Sequence, residues 1–594
     1  MSNKFKRTIT EVFLESRQKP PTQVAMRYSD GKGWHDISWP EYFKKTELVA
    51  GGLVQLGVQR GDRVAILSNT RYHWAIADLA ILGIGAVTVP IYQNSTPEDV
   101  KYILKDSGAK TAFIEDQSQW IKIQNLKSDE RELENIISFN SFNDPHVWSW
   151  EKLLKSGEAF VKEKPHHFED ECKKNKFEDM ATIVYTSGTT GSPKGVVLAY
   201  SCIATECEDI KVNFNLGDQD STLTFLPFAH IFGRVELWAN IYLGWKMCFA
   251  ESIDRIAFNL KEIKPTFMMA VPRIFEKIYG RIQSQVESGG KVKQKLFTWA
   301  KKVGAQVSHA KMNNEEIPLS VLLEYRLAYN LIFSKINKGL GGQLKFMVSG
   351  GAPLAKEIAE FFHASGILIL EGYGLTETTA AITVNTPYRY RFGTVGPALG
   401  ETQLKFAEDG EILVKSGKVF KEYFKDPEST SANLQDGWFR TGDIGESDKD
   451  GFLRITDRKK DLIKTAGGKI VAPQKLENLL KTNKYINQVV IYGDKMKYLV
   501  ALVTLNESEI RAFAKENDIA ATTLEGLAKD PKINQLVSEI IRDKNSKLAS
   551  FETIKHFQIL PAEFTIERGE ITPSLKVKRK FLSEKYHDVI MTLY

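Results

Sequence analysis

In the first third of the chain, short apolar runs alternate with segments whose apolar residues recur every three to four positions. Residues 63–67 form an apolar run after the turn Gly61-Asp62, 74–82 has a helical period, 86–91 is strand-like, 97–104 is helical again, and 111–114 closes the series. Such short runs fit buried strands, and the segments between them are long enough for crossover helices. Strands separated by helices of this length predict a mostly parallel, doubly wound sheet and an α/β fold. Sheets of this kind take ligands at the carboxyl ends of their strands, so the loops there are where chemistry is expected.

The most membrane-like run, 75–92, contains Asp78, Gly83, Gly85 and Pro90, which predicts helix, turn and buried strand rather than a span. The charge-dense segment 151–179 predicts a solvated helical connection. From 280 to 340 the pattern turns helical and basic, with Leu296, Trp299, Val303, Leu322, Tyr325, Leu331, Ile332 and Ile336 as apolar faces. The clearest boundary is Asp457-Arg458-Lys459-Lys460-Asp461, five charged residues between two apolar stretches. It predicts a large multi-part N-terminal domain over 1–457 and a small α+β C-terminal domain over 458–594.

Bulk properties narrow the partners. A chain of 594 residues, 42% hydrophobic and 26% charged, has the composition of a soluble protein with two or more domains. A formal net charge of +6 suits nucleotide substrates or an anionic membrane surface and is too small to argue for nucleic acid. Cys172, Cys202, Cys207 and Cys248 form no CxxC pair, so free thiols in a reducing compartment are expected. The basic start, Met1 to Arg7, leads into no apolar stretch, which argues against a secretory signal and for a cytoplasmic protein.

The densest chemistry lies in Tyr185-Thr186-Ser187-Gly188-Thr189-Thr190-Gly191-Ser192-Pro193-Lys194-Gly195. Glycines let a backbone turn its N–H groups toward an anion, hydroxyls add donors, and Lys194 adds positive charge. That is the chemistry of a polyphosphate cradle, weighed against a plain Gly/Ser/Thr-rich surface loop. It is not a Walker A loop, because Pro193 stands where the second glycine should be. Downstream, Glu371-Gly372-Tyr373-Gly374-Leu375-Thr376-Glu377-Thr378-Thr379 sets an aromatic, a hydroxyl and a carboxylate close together. A carboxylate beside a polyphosphate needs a cation between them, so Glu377 is the candidate Mg2+ ligand. Tyr373 offers a flat face for a base.

These strings resemble the signatures of the adenylate-forming enzymes: acyl-CoA synthetases, luciferases and peptide-synthetase adenylation domains. The resemblance implies a cradle of Thr186, Ser187, Gly188, Thr189, Thr190, Gly191 and Lys194, with Thr186 and Lys194 also catalytic. Tyr373-Gly374-Leu375-Thr376-Glu377 matches the family's Tyr-Gly-x-Thr-Glu motif and implies that Thr376 contacts phosphate. Gly350-Gly351-Ala352-Pro353 looks like the turn behind the adenine pocket, or an ordinary strand-to-helix turn. Gly437-Trp438-Phe439-Arg440-Thr441-Gly442-Asp443 resembles the Thr-Gly-Asp motif, whose aspartate accepts hydrogen bonds from ribose hydroxyls.

Asp457 through Lys464 resembles the segment that joins the two domains. There Arg458 would reach ribose or phosphate, Lys460 would be the hinge, and Lys464 would join the nucleotide site. Gly467 would line the pantetheine path. Thr572 to Lys580 matches the place of the catalytic lysine, assigned to Lys576; Leu575 stands where glycine is common, which keeps Lys578 and Lys580 as alternatives. A basic patch facing a membrane is the competing reading of that cluster. His230 in Phe228-Ala229-His230 would shape the carboxylate end of the substrate pocket, or be structural, and Trp238 nearby could be core.

Val271-Pro272-Arg273-Ile274-Phe275-Glu276-Lys277-Ile278-Tyr279 and the helical insertion after it resemble the long-chain fatty-acid–CoA ligases. The implied reaction joins a fatty acid to CoA through an acyl-adenylate, with ATP and Mg2+, releasing AMP and pyrophosphate. Two other readings stand: a ligase for an aryl or bile acid, and a catalytically silent nucleotide-binding regulator, which would be expected to lose Glu377, Asp443 or the terminal lysine.

Overall fold

The computed structural model describes residues 7–124, 133–186, 193–313, 315–572 and 576–594. Two eight-stranded sheets dominate it. In the first, strands Val87–Ile91, Arg63–Leu67, Thr111–Ile114 and Asn135–Ser138 run parallel, and Met180–Thr186 continues beside Val87–Ile91. Arg63–Leu67, Val87–Ile91 and Thr111–Ile114 match runs expected to be strands, Asn135–Ser138 is not among them, and helices Tyr72–Gly83 and Pro97–Ser107 make the crossovers. Strand Lys194–Ala199 pairs antiparallel with Met180–Thr186, which sets Lys194 opposite Thr186.

The second sheet is parallel through Val24–Ser29, Lys246–Phe249, Ser221–Thr224, Phe267–Ala270, Phe346–Ser349 and Ile369–Leu375, with antiparallel strands at both edges. A smaller five-stranded sheet, largely antiparallel, ends in Leu453–Arg458. Beyond it lie the hairpin Ile463–Lys464/Ile470–Val471 and the sheet of Ile486–Tyr492, Leu499–Leu505 and Ile554–Ile559, which build their own apolar cores. The architecture is mixed α/β, a large part with parallel sheets followed by a small α+β part.

One continuous core joins the two large sheets, with helices Tyr72–Gly83 and Ile231–Leu243 inside it. An ion pair crosses it: Arg234 and Asp78 are both fully buried, Arg234 lies over the rings of Trp74 and Trp238, and Thr88 donates to Asp78 at 2.7 Å. Trp238 is therefore core. No helix among the described residues is long and apolar enough to cross a membrane.

Two expectations change in detail. The segment 151–179 is helical but not merely solvated: helix Trp150–Glu163 buries Leu153 and Phe160, and Gly157 lies so close to Leu48 that a Cβ would sit 1.7 Å from its carbonyl oxygen. Its charges occupy one face only, which a composition count cannot show. In the helices of 280–340, Val303 is buried and Trp299, Tyr325, Ile332 and Ile336 pack on a small core, but Leu322 and Leu331 face solvent. Helix Leu319–Ala328 has apolar residues on two sides, and only one side finds a partner.

Candidate active site

Thr186 and Lys194 sit at the facing ends of the antiparallel hairpin, where Thr186 Oγ1 donates to the Lys194 carbonyl at 3.4 Å. Ser187, Gly188, Thr189, Thr190 and Gly191 lie outside the described residues. Lys194 Nζ donates to Ser429 Oγ, stands 3.5 Å from Asp426 and 5.2 Å over the Tyr423 ring. The Tyr423 hydroxyl in turn donates to Glu377 Oε1 at 2.9 Å. Tyr423 thus ties the lysine of the cradle to the carboxylate of the second motif.

That second motif turns sharply. Strand Ile369–Leu375 carries Tyr373 and Gly374 into the turn Thr376–Thr378. At Gly374 a Cβ would meet the Ala380 carbonyl oxygen at 1.4 Å, so only glycine fits. Thr379 and Ala380 both have positive φ, 52° and 75°, which costs energy for residues with a Cβ and persists only where surroundings enforce it. The surroundings here are a buried charge cluster. Lys418 Nζ is 3.1 Å from Glu206 and 2.7 Å from Asp209, and it also donates to the Ala381 carbonyl. Glu206 accepts from the Ala381 N–H at 3.1 Å, and Thr379 Oγ1 donates to the Lys418 carbonyl at 2.7 Å. Burial pushes the Glu206 carboxyl up to about 7, against the pull of Lys418. The Glu377 carbonyl is fixed as well, accepting from the Phe420 N–H at 2.7 Å.

Asp443 and Arg458 are cross-strand partners, and Arg458 Nε lies 3.3 Å from Asp443 Oδ1. Tyr373 donates its hydroxyl to Asp443 Oδ2 at 2.7 Å, so its ring is held by its far end. Burial raises the Asp443 carboxyl pKa, and Arg458 opposes it. Gly351 has φ 83°, a conformation that favours glycine, and a Cβ there would reach only Val271, at 3.8 Å. Ala352 and Pro353 beside it are exposed, which leaves the turn open. Behind it, the Leu354 N–H donates to Glu371, whose buried carboxyl is pushed up to about 7.

Lys576 enters from the C-terminal part, where the Thr572 N–H donates to its carbonyl at 2.8 Å and its own N–H to Thr572 Oγ1 at 3.0 Å. The residues between, 573–575, are outside those described. The residue is exposed as a whole, while its ammonium end is packed among groups from both parts of the protein. This crowding, then Arg458, lowers its ammonium pKa to about 8, while Asp443 and Glu377 pull the other way. His230 lies in the same field: burial, then Lys576, brings its imidazole down to about 3. Its Nδ1 accepts from the Phe232 N–H at 3.1 Å, so the neutral ring carries its proton on Nε2. Lys460 shares the field too, lowered by crowding and Arg458 and raised by Asp461, Asp443 and Glu377.

The structure therefore joins Tyr373, Asp443 and Arg458 by direct contacts and sets Glu377, Lys460, Lys576 and His230 within the same electrostatic field, the candidate cleft, with cations outnumbering carboxylates. It does not bring Lys464 or Gly467 there. Lys464 is exposed and donates its N–H to Asp494, and a Cβ on Gly467 would meet nothing within 4 Å. Lys578 and Lys580 stand at the start of helix Arg579–Lys585, and Arg579 between them turns inward to Glu477 at 2.6 Å. Sequence reading missed Tyr423, Lys418, Glu206 and Asp209. Glu206 and Asp209 sit three apart on helix Tyr200–Phe214, a spacing that reads as a solvated face, and nothing around Lys418 in the sequence announces burial.

No group of three or more metal-type side chains occurs among the described residues. Glu377 is a lone carboxylate with one oxygen taken by Tyr423. That donor set fits Mg2+, which is held by one or two carboxylates plus substrate phosphates rather than by a protein cage.

Comparison with known proteins bears on this cleft. Residues 13–424 match the AMP-binding enzyme family, and residues 460–594 match the AMP-binding enzyme C-terminal domain. The chain is 35% identical to the long-chain-fatty-acid–CoA ligase FadD15 of Mycobacterium tuberculosis, over 98% of this chain and 96% of that protein. It is 30% identical to the human (Homo sapiens) long-chain-fatty-acid–CoA ligase ACSBG2, over 99% and 92%. Among solved structures it is similar to the anthranilate CoA ligase AuaEII in complex with anthranoyl-AMP, with a TM-score of 0.74 at 18% identity over 98% of each chain. It is also similar to the adenylation domain of a carboxylate reductase from Mycobacterium chelonae, with a TM-score of 0.75 at 21% identity over 100% and 92%. At those identities the structures speak for the fold alone. The chain belongs to the AMP-binding enzyme family, whose members form adenylates.

Proposed function

We propose that this enzyme is a long-chain fatty-acid–CoA ligase. What supports the adenylating half is that Lys576, from the C-terminal part, shares one electrostatic field with Asp443, Glu377 and His230. The relatives named as long-chain ligases, at 35% and 30% identity over nearly the whole chain, support the acyl class.

In this reading the fatty carboxylate attacks the α-phosphate of ATP, giving acyl-adenylate and pyrophosphate, and the CoA thiol then displaces AMP. The first step concentrates negative charge at phosphorus, so fixed cations and donors supply much of the catalysis. Lys576 would neutralise the carboxylate and α-phosphate. Thr186, Lys194 and Thr376 would hold the phosphates, Asp443 with Arg458 the ribose, and Tyr373 with the Gly351-Ala352-Pro353 turn the base. Mg2+ on Glu377 would supply charge neutralisation at the phosphates. Neutral His230, a donor through Nε2, would orient the carboxylate.

CoA needs the side of the adenylate that Lys576 occupies. We take the chain as two domains, 1–457 and 458–594, the second turning about Lys460 between half-reactions and carrying Gly467 toward the pantetheine path. Four buried free cysteines suit a reducing compartment, and the reading places the enzyme in the cytoplasm.

A panel of acids with ATP, Mg2+ and CoA tests the substrate. Each buried CH2 is worth about 0.8 kcal/mol, so palmitate should exceed acetate by orders of magnitude at equal low concentration. Comparable turnover of the two, or preference for benzoate or a bile acid, would overturn the long-chain reading.

A further inference from the structure

Helix Leu319–Ala328 and the turn Tyr329–Phe333 that continues it bury Ala328 and Phe333 in a small core with Ala300 and Ala364. Their other side is bare. Leu319 is 72% exposed, Leu323 61%, Leu327 52%, and Leu322 and Leu331 41% each. At 3.6 residues per turn these leucines cover roughly half of the helix circumference, with Arg326 and Asn330 in the same arc. Single exposed leucines need no explanation, but a contiguous face of them does.

Charge indicates what covers it. Residues 290–340 hold eight lysines and Arg326 against Glu315, Glu316 and Glu324, a surplus of six, and the whole chain carries +6. The rest of the protein is neutral on balance. Lys302, Lys311, Arg326, Lys335 and Lys338 are exposed, and no ion pair among the described residues engages them. Lys311 stands 5.9 Å over the Tyr325 ring, so charge from helix Gly290–Met312 reaches the leucine-bearing helix.

We propose that this face docks the enzyme on an anionic lipid bilayer, with helix Leu319–Ala328 lying flat in the interface. Leucines enter the acyl boundary, the lysine stems run along it, and anionic headgroups supply the missing counter-charge. A second copy fits the face less well, because a symmetric contact would press two positive surpluses together.

The test is co-sedimentation of the full chain with phosphatidylcholine vesicles, with and without phosphatidylglycerol. Binding to the mixed vesicles should weaken roughly tenfold or more without the anionic lipid or in high salt. The double variant Leu323→Asp/Leu327→Asp should lose a similar factor with its thermal unfolding unchanged, and Lys335→Glu/Lys338→Glu should shift binding in the same direction. Undiminished vesicle binding by both double variants would overturn the proposal. So would a lipid-free parent that sediments as a dimer and becomes a monomer on Leu323→Asp/Leu327→Asp, since the face would then belong to a second copy.

Discussion

Two sides of the same cleft are built in opposite ways. The Glu377 side is locked from behind: Thr379 and Ala380 keep left-handed backbone because Lys418, Glu206 and Asp209, all out of solvent, bind the loop from below. The Lys576 side is delivered by the C-terminal part and held by Lys576's own contacts with Thr572. Groups that serve every step can be fixed in place, whereas a group needed in one half-reaction has to be able to leave. Under the proposed two-step reaction, a rigid wall facing a removable one is what a single adenylate would require.

The comparison breaks most sharply at Lys576. Lys576→Ala should lower acid-dependent ATP–pyrophosphate exchange by about three orders of magnitude, while CoA acylation from supplied acyl-adenylate persists. Lys460→Pro, which fixes φ near −65°, should do the reverse. Equal loss of both activities in both variants would mean that the removable wall is not removable.

On the fixed side, Lys418→Met strands two buried carboxylates and should destabilise the large domain by about 3–5 kcal/mol, read from urea unfolding. Exchange should fall as well in whatever fraction stays folded. Retention of parental stability would show that the charge cluster does not hold the loop.

Tyr423→Phe is a gentler probe of the same side, removing one hydrogen bond to Glu377. It should raise the Mg2+ concentration needed for half-maximal exchange roughly fivefold, the size of a net bond of about 1 kcal/mol. An unchanged Mg2+ requirement would dissociate Tyr423 from the metal.

The smallest effect is in pH. Lys576 has its pKa lowered to about 8, so it is charged below that value and loses its charge as pH rises through it. Exchange at low substrate should therefore decline above pH 8 in the parent and stay level in Lys576→Arg, whose guanidinium keeps its charge. A decline of the same midpoint in both would assign the limb to another group.

The strands 63–67 and 111–114 were legible, and the candidate residues of the cleft could be named, because each is a local pattern: a short apolar run, or a motif whose members are adjacent in sequence. What supports them was not. Lys418 and Tyr423 act on residues far away in the chain, and a lysine followed two positions later by phenylalanine looks the same whether it faces water or a buried carboxylate. Lys464 shows the converse, since a motif can name a residue without saying which arrangement of the domains brings it to the site. The two-sided apolar pattern of 319–331 likewise reads as core until one side is seen to have no neighbour.

The Arg234–Asp78 pair carries one more consequence. Its members come from helices crossing over different sheets, and each would be a bare charge in an apolar core without the other. Neither sheet can then loosen alone without stranding an ion in the half that remains. The large part of the molecule is bound to melt as a single cooperative unit, while the C-terminal part, with cores of its own, is free to follow a separate transition.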